Sequence, residues 1–305
     1  MTYAGGKQLS RLHRTGTFGT QHAMDSRPLT IESLEDFICT RVRDSESNRL
    51  AHIDGSPIFA KPLLGVADGD DPIFARYKGI IGSHHLTPRE ALANVEDTTS
   101  CQPTIRVVSW ILPITRDTRE SNAAMTAEPS RRWVHTRHYG EIFNDNLRRD
   151  VQRFLRDSGV SATAPAISDR FHVLRGAPGG PTSSWSERHI AYAAGLGTFG
   201  LCDGFLTPVG KAMRCGSVVV SLDLPPTPRR FRSHVSACPY LVDGSCGECI
   251  KRCPVGAIGP DGHDKAKCQA FQEETLLPLR ERYGVSITGC GLCQTGVPCE
   301  SGLPK

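Results

Sequence analysis

The sequence predicts an α+β protein in which a larger domain of helices and strands precedes a small cysteine-rich module. Two mostly apolar, β-branched runs, at residues 105–112 and 215–222, are typical of buried strands. An apolar stripe at helical spacing over residues 141–158 predicts an amphipathic helix between them. Eight of the 12 cysteines fall within residues 238–299 and define the second module.

Further helices of the larger domain follow from capping and periodicity. Apolar residues on one face predict a helix over residues 30–42. Residues 87–90 (Thr-Pro-Arg-Glu) form a capping box with proline at the first helical position. Gly159 is a suitable C-terminal residue for the long helix. A second capping box at residues 184–187 predicts a helix that ends at Gly195.

Proline and glycine divide the chain into three parts. We predict a mobile N-terminal tail at residues 1–28, an α+β cofactor and substrate domain at 29–228, and the cysteine-rich domain at 229–305. The second boundary lies at the proline-rich segment 224–228, which no regular element can cross.

Composition and charge limit the possible environments and partners. The net charge of +4 is a mild excess that would help an acidic partner to dock but does not require nucleic acid. No stretch approaches 18 apolar residues, so we expect no membrane span. The basic N-terminal segment lacks the apolar region of a signal peptide, and thiols stay reduced in the cytoplasm, so we expect a cytoplasmic protein.

The cysteine spacing is the strongest functional signal. Cys246, Cys249 and Cys253 followed by Pro254 match the C-x2-C-x3-C-P part of the bacterial ferredoxin run, in which the last cysteine serves a second cluster. Cys290 and Cys293 form another close pair. The pattern therefore predicts two [4Fe–4S] clusters and a role in electron transfer.

The same crossover arrangement assigns four ligands to each cluster. Cluster one is expected to be held by Cys238, Cys246, Cys249 and Cys299. Cluster two is expected to be held by Cys253, Cys268, Cys290 and Cys293. Standard spacing would place cysteines at positions 243 and 297 instead of 238 and 299, so Cys215 is kept as a substitute ligand.

Other interpretations of the cysteines stay open at this point. A disulfide framework would require an oxidising compartment and is typical of small secreted domains. Zinc is the stronger rival, because C-x2-C pairs also fit tetrahedral sites, and a zinc-stabilised module that binds RNA is a further hypothesis. A zinc ribbon, however, does not require a Cys-Pro or eight ligands divided four and four.

A glycine-rich segment precedes the second predicted strand. Gly195, Gly197 and Gly200 form a G-x-G-x-x-G string, and glycines at such spacing let backbone N–H groups approach a phosphate or carboxamide. The string follows a helix, whereas the dinucleotide fingerprint follows a strand, so a dinucleotide site is not expected. The alternative is a helix C-terminus followed by a glycine turn.

Several motifs in this order resemble one family. The segment from Ser186 through Gly200, the segment 205–219, the strand end Leu222-Asp-Leu-Pro225 and the cysteine strings are similar to epoxyqueuosine reductases and the related reductive dehalogenases. The resemblance covers roughly residues 100–299. It implies a nitroreductase-like domain that holds a base-off cobalamin beside a two-cluster ferredoxin-like module. Electrons from an external donor of the flavodoxin or ferredoxin type would pass through the clusters to cobalt.

The resemblance also implies site residues. Those expected to contact the corrinoid are Gly195, Leu196, Gly197, Gly200, Lys211 and Ser217. The candidate catalytic residues are Tyr192, Arg214 and Asp169. Asp169 could replace the acidic proton donor of epoxyqueuosine reductases only if residues 172–183 are an insertion, and core packing is the alternative role of Tyr192.

We therefore expect an enzyme, a cobalamin-dependent iron–sulfur reductase that acts on a small molecule or a modified nucleoside. The chain lacks the C-terminal helical-repeat region that longer relatives use for tRNA, so tRNA binding is doubtful. The alternative is a ferredoxin-type electron-transfer protein without corrinoid. The amounts of iron, cobalt and zinc in the purified protein distinguish these hypotheses.

Overall fold

The computed structural model describes residues 29–93, 104–175 and 180–304. The predicted N-terminal tail at 1–28 lies outside these residues, as does Cys101. The mixture of helices and strands expected for an α+β protein is confirmed. The nitroreductase-like and ferredoxin-like details of that expectation stay predictions.

The larger part of the chain contains most of the regular structure. Its helices are α1 (Ile31–Asp44), α2 (Ile73–Ile80), α3 (Pro88–Leu92), α4 (Arg116–Ala123), α5 (Arg131–Asp157) and α6 (Glu187–Ala193). Its strands are β1 (Leu63–Asp68), β2 (Arg106–Pro113), β3 (Ala162–Thr163), β4 (Val173–Leu174), β5 (Thr182–Ser183), β6 (Thr198–Phe199), β7 (Phe205–Leu206) and β8 (Met213–Val220). Short 3₁₀ helices lie at Glu46–Asn48 and Pro165–Ile167.

The cysteine-rich part is built from short elements. They are α7 (Pro239–Asp243), α8 (Glu248–Lys251), β9 (Ile258–Gly259), β10 (Gly262–His263), α9 (Lys265–Glu274), α10 (Pro278–Tyr283) and a 3₁₀ helix at Leu292–Gln294. Loops carry much of this region, which places the cysteines on turns rather than within long helices.

A four-stranded antiparallel sheet lies at the centre of the larger part. Its strand order is β1-β2-β8-β3, and Ser109 of β2 pairs with Ser217 of β8. Val108 and Trp110 pack with α1 and α5, whereas Val107 and Ile111 pack with α2 and α6 on the other side. Because both faces are covered by helices, β2 and β8 have apolar side chains on both sides and lack the usual alternation.

The sequence located both central strands and four helices, α1, α3, α5 and α6, with errors at their ends. The capping box at 87–90 is confirmed, with Thr87 accepting from the Glu90 N–H at 3.3 Å. The prediction of a capping box at 184–187 is wrong. Helix α6 begins at Glu187 after Ser186, and no side chain caps it. The long helix α5 starts ten residues before the predicted position, where Ser130 caps the N–H of Trp133.

The predicted domain boundary is crossed by several direct contacts. The N–H of Lys211 donates to the carbonyl of Cys299 at 2.9 Å, and the N–H of Ala212 donates to that of Glu300 at 3.2 Å. The Arg252 guanidinium donates to the Met125 carbonyl at 2.9 Å. These hydrogen bonds fix the cysteine-bearing loops against the central sheet.

A search for membrane-spanning helices among the described residues finds none with the required length and apolar character. The predicted cytoplasmic location stays a prediction.

Candidate functional site

The eight predicted ligand cysteines lie around two separate cavities. The wide cavity has a volume of about 550 Å³, and its walls include all four predicted ligands of cluster two, Cys253, Cys268, Cys290 and Cys293. The narrow cavity is only about 20 Å³, and its walls include all four predicted ligands of cluster one, Cys238, Cys246, Cys249 and Cys299. The division into two groups of four therefore has a counterpart in three dimensions.

Hydrogen-bond donors approach the sulfur atoms around the wide cavity. The N–H of Ala257 donates to Sγ of Cys253 at 3.1 Å, and the side-chain amide of Gln272 donates to Sγ of Cys268 at 3.4 Å. Such bonds stabilise thiolate charge and are among the factors that set cluster potentials. A cysteine set with these donors suits a cluster, although the narrow cavity would have to widen to admit one.

The arrangement differs from that of a single-ion site. Throughout residues 29–93, 104–175 and 180–304, no group of three or more His, Cys, Asp or Glu side chains converges as around one metal ion. The cysteines instead line the walls of cavities. Burial raises the pKa of Cys290 to about 11, an effect to which Cys268 and Cys253 contribute as neighbours.

A third cavity, of about 410 Å³, contains buried charges and is called the charged cavity here. Its walls include Glu141, Arg148, Glu187, Lys211 and Arg214. It shares Arg214 and Gln294, among others, with the wide cavity, so the two adjoin. A ligand that spans both would contact the wall of cluster two and the charged groups at once.

Arg148 organises the carboxylates of the charged cavity. It is 3% exposed, and its guanidinium lies 3.0 Å from Oε1 of Glu187 and 2.7 Å from Oδ1 of Asp145. Ser217 donates to Oε2 of Glu187 at 2.6 Å, and the Trp185 indole donates to Ser217 at 2.9 Å. Both oxygens of Glu187 are thus held in a fixed geometry.

The two glutamates of the charged cavity have opposite pKa shifts. Burial raises the pKa of Glu187 despite its contact with Arg148. Burial would also raise the pKa of Glu141, but Arg214, Arg137 and Arg148 outweigh it and lower that pKa to about 2. Glu141 is therefore the permanently ionised member of the pair.

The predicted catalytic residues occupy different places. Arg214 lines both the wide and the charged cavity, and burial together with Arg137 lowers its pKa to about 10. Tyr192, a residue of α6, packs against the core, with its ring centroid 6.1 Å from that of Phe199. Asp169 is exposed, after the 3₁₀ helix at Pro165–Ile167. Of the three, Arg214 has the position of a cavity residue.

The residues predicted to contact a corrinoid are likewise divided. Lys211 lines the narrow and charged cavities, and Ser217 lies directly beneath Glu187. Leu196 is buried in the core. A Cβ on Gly195 would lie 3.0 Å from the carbonyl oxygen of Pro228.

Gly197 and Gly200 allow β6 and β7 to approach each other closely. A Cβ on Gly200 would lie 2.6 Å from Cδ1 of Leu206, and one on Gly197 would overlap the Leu206 carbonyl. These glycines contact the protein's own backbone and side chains. The role predicted for them in cofactor binding stays a prediction, and packing accounts for their presence.

Gly197→Ala is expected to destabilise the fold by about 1–3 kcal/mol, because the added methyl forces β7 away from β6. Denaturant unfolding under anaerobic conditions measures the loss. Gly79→Ala in α2 is the control, since its Cβ meets open space and alanine favours a helix. Equal stability of the two variants would contradict the packing role of Gly197.

Sequence reasoning missed the residues that complete these cavities. Cys202 lines both the wide and the narrow cavity, yet it belongs to no spaced cysteine motif. Arg148 and Arg188 were not singled out, and Glu187 was assigned to a helix cap. For Arg148 the signal is present, since an arginine within the apolar stripe of α5 needs buried partners.

The known proteins that are similar to this chain in sequence are epoxyqueuosine reductases. An epoxyqueuosine reductase from Bacillus anthracis is 33% identical over 189 residues, which cover 60% of this chain and 45% of that protein. The epoxyqueuosine reductase of Bacillus subtilis is 24% identical over 200 residues with the same coverage. The chain thus spans about half the length of the curated relatives it matches. A scan of protein-family models gives no match.

The fold is also similar to solved structures. A structure of epoxyqueuosine reductase from Bacillus subtilis, with its catalytic loop swung out of the active site, aligns with a TM-score of 0.50. The alignment covers 90% of this chain and 66% of that one at 17% identity, which is evidence about the fold alone.

The expectation that tRNA binding is doubtful is corrected by another of these structures. It is an epoxyqueuosine reductase with an epoxyqueuosine-modified tRNA-Tyr stem loop, and it aligns with 90% of this chain at a TM-score of 0.47. The reason for doubt had been the expectation that the chain has no C-terminal helical-repeat region. The chain spans only 45% of the Bacillus anthracis relative, so the position of its last residue is no argument against tRNA.

The resemblance inferred from the glycine and cysteine motifs is therefore confirmed by overall sequence similarity. This chain is similar in sequence to epoxyqueuosine reductases over 60% of its length.

Proposed function

We propose that this protein is an iron–sulfur reductase in tRNA modification, with epoxyqueuosine or a closely related epoxide nucleoside as its substrate. The observation that carries the proposal is the division of the eight motif cysteines between two cavities, four to each. The names of the similar proteins suggest the substrate class.

The cysteines would hold two [4Fe–4S] clusters. Cys238, Cys246, Cys249 and Cys299 would serve one cluster, and Cys253, Cys268, Cys290 and Cys293 the other. Bound clusters supply one-electron transfer. Removal of an epoxide oxygen as water consumes two electrons and two protons, so a pair of one-electron centres matches the requirement.

The adjoining wide and charged cavities are the proposed site of a cobalamin. Together they offer space in the range of cofactor pockets, directly beside the cysteines of cluster two. Arg137, Arg188 and Arg214 could donate hydrogen bonds to the carboxamides and phosphate of a corrinoid. When bound, a corrinoid would supply a strongly reducing and nucleophilic cobalt. The chain's own contribution would be to orient it and to exclude water.

A second candidate is the ferredoxin-type electron carrier without corrinoid. The observation in its favour is that Gly195 and Gly197 pack against the backbone at Pro228 and Leu206 instead of lining a cavity. The resemblance had assigned these glycines to the corrinoid. A carrier would retain the clusters but leave the wide cavity to solvent.

Elemental analysis and one activity assay test the proposal. Protein purified without oxygen and incubated with cobalamin is expected to contain about eight irons and one cobalt per chain. With a chemical reductant, it should remove the epoxide oxygen from epoxyqueuosine in tRNA, detected by mass spectrometry of the nucleosides. Iron without cobalt or turnover would support the carrier, and zinc in place of iron would overturn both.

A further inference from the structure

Cys202 lies between the two cysteine groups. It is carried at the tip of the β6–β7 hairpin, where the N–H of Gly200 donates to the Gly204 carbonyl at 2.8 Å. Its side chain lines both cavities, together with Cys249 of the narrow cavity and Cys293 of the wide cavity. Of the nine cysteines at these cavities, it is the one that contributes to the walls of both.

Lys211 is the cation beside this thiol. Its side chain is 3% exposed, and Nζ lies 3.4 Å from Sγ of Cys202. The ammonium is also close enough to Cys299, Cys293 and Cys249 for electrostatic attraction. The backbone bond from Lys211 to the Cys299 carbonyl, at 2.9 Å, fixes this position.

We propose that Lys211 and Cys202 form a shared donor pair that raises the reduction potentials of both clusters. The inference rests on the proposed function, because it assumes that the two cysteine groups hold clusters. Once Cys249 and Cys293 are iron-bound thiolates they carry no proton. The donors left between the clusters are then the S–H of Cys202 and the three N–H bonds of Lys211.

The physical reason is the charge change on reduction. Each cluster gains one negative charge when it accepts an electron, and a nearby positive charge or hydrogen bond to sulfur stabilises that state. Burial weakens solvent screening, so the Lys211 ammonium acts more strongly than an exposed lysine would. A position between the clusters lets a single cation act on both.

The experiment is a redox titration of the cluster-loaded protein with titanium(III) citrate, followed by EPR. Each titanium(III) ion gives one electron to one cluster and becomes titanium(IV), so reduction of both clusters consumes two titanium(III) ions. At a fixed ambient potential, Lys211→Met is expected to lower the reduced-to-oxidised ratio of both clusters by about tenfold, or ~59 mV for one electron. Cys202→Ala should lower both ratios in the same direction, and Lys211→Arg should restore most of the Lys211→Met loss.

Lys251→Met is the matched control. Lys251 lies in α8 two residues after Cys249, but its side chain is 73% exposed and pairs with Glu248. Its removal takes away the same charge near cluster one, and solvent screening should keep the ratios within about twofold of the parent. A shift as large as that of Lys211→Met would overturn the special role of the buried lysine.

The other outcomes also decide the matter. Unchanged ratios in Lys211→Met, or a change at one cluster alone, would overturn the proposal. Loss of about four irons in Cys202→Ala would overturn it as well, since Cys202 would then be a ligand. If Lys211→Met binds no iron, the ratios are measured in Cys202→Ala instead. Unchanged ratios in that variant, or a change at one cluster alone, would overturn the proposal. A parent protein without iron would instead refute the proposed function, and the inference with it.

Discussion

Cys249→Ser is expected to lose one of two clusters, about four of eight irons per chain, together with most reductase activity. Cys249 is 9% exposed at the narrow cavity, beside three other predicted ligands of cluster one. A serine hydroxyl is a much poorer ligand for iron than a thiolate. Iron and acid-labile sulfide analysis of anaerobically purified protein measures the loss, and EPR shows which cluster remains.

Cys39→Ser is the control for this experiment. Cys39 lies in α1, half-buried and distant in sequence from every cysteine motif. Burial raises the pKa of its thiol, which makes it an inert cysteine. The variant should keep all its iron. Full iron content in Cys249→Ser would refute the ligand assignment, and equal loss in both variants would indicate general damage to the fold.

Arg148→Met is expected to destabilise the protein by about 3–5 kcal/mol. The change leaves Glu187 buried beneath the charged cavity without its cation, and Asp145 also loses a partner at 2.7 Å. An uncompensated buried carboxylate must either be desolvated or take up a proton, and each costs free energy. Anaerobic denaturant unfolding measures the difference.

Two further variants show how much of the lost stability comes from the unpaired charge of Glu187. In the double variant Arg148→Met with Glu187→Gln, both charges are absent, so a large part of the loss should be recovered. Arg153→Met, on the exposed side of the same helix, removes a guanidinium that is 69% exposed and should change stability by no more than about 0.5 kcal/mol. A double variant no more stable than Arg148→Met would show that the guanidinium's hydrogen bonds, rather than the charge pair, are what matters.

Local sequence signals predicted much of the fold. The strand predicted at 105–112 lies within one residue of its position in the structure. It could be predicted because β-branched side chains covered by helices on both faces leave an unbroken apolar run. The start of α5 was missed because residues 131–140 mix charged side chains with the buried Trp133 and Val134. Their burial depends on contacts with distant segments, which local periodicity does not contain.

The two cysteine groups were also predictable from local sequence, but the residues that lie beside them were not. Short spacings such as 246–249 and 290–293 place thiols on one loop, and the two predicted groups line different cavities. Cys202 reaches both cavities only because the β6–β7 hairpin folds against that module. Glu187 had the spacing of a helix cap, but Arg148 and Ser217 hold it instead. Interactions between segments far apart in sequence decide such cases.

The pairing of Lys211 with Cys299 has a consequence for biosynthesis. The ribosome makes Cys246 and Cys249 well before Cys299, so the nascent chain exposes an incomplete set of thiols for a time. With the proposed ligands, assembly of cluster one would therefore follow translation of residue 299 and its return to the sheet. Until then, the emerging thiols depend on the reducing conditions of the cell to stay free of oxidation.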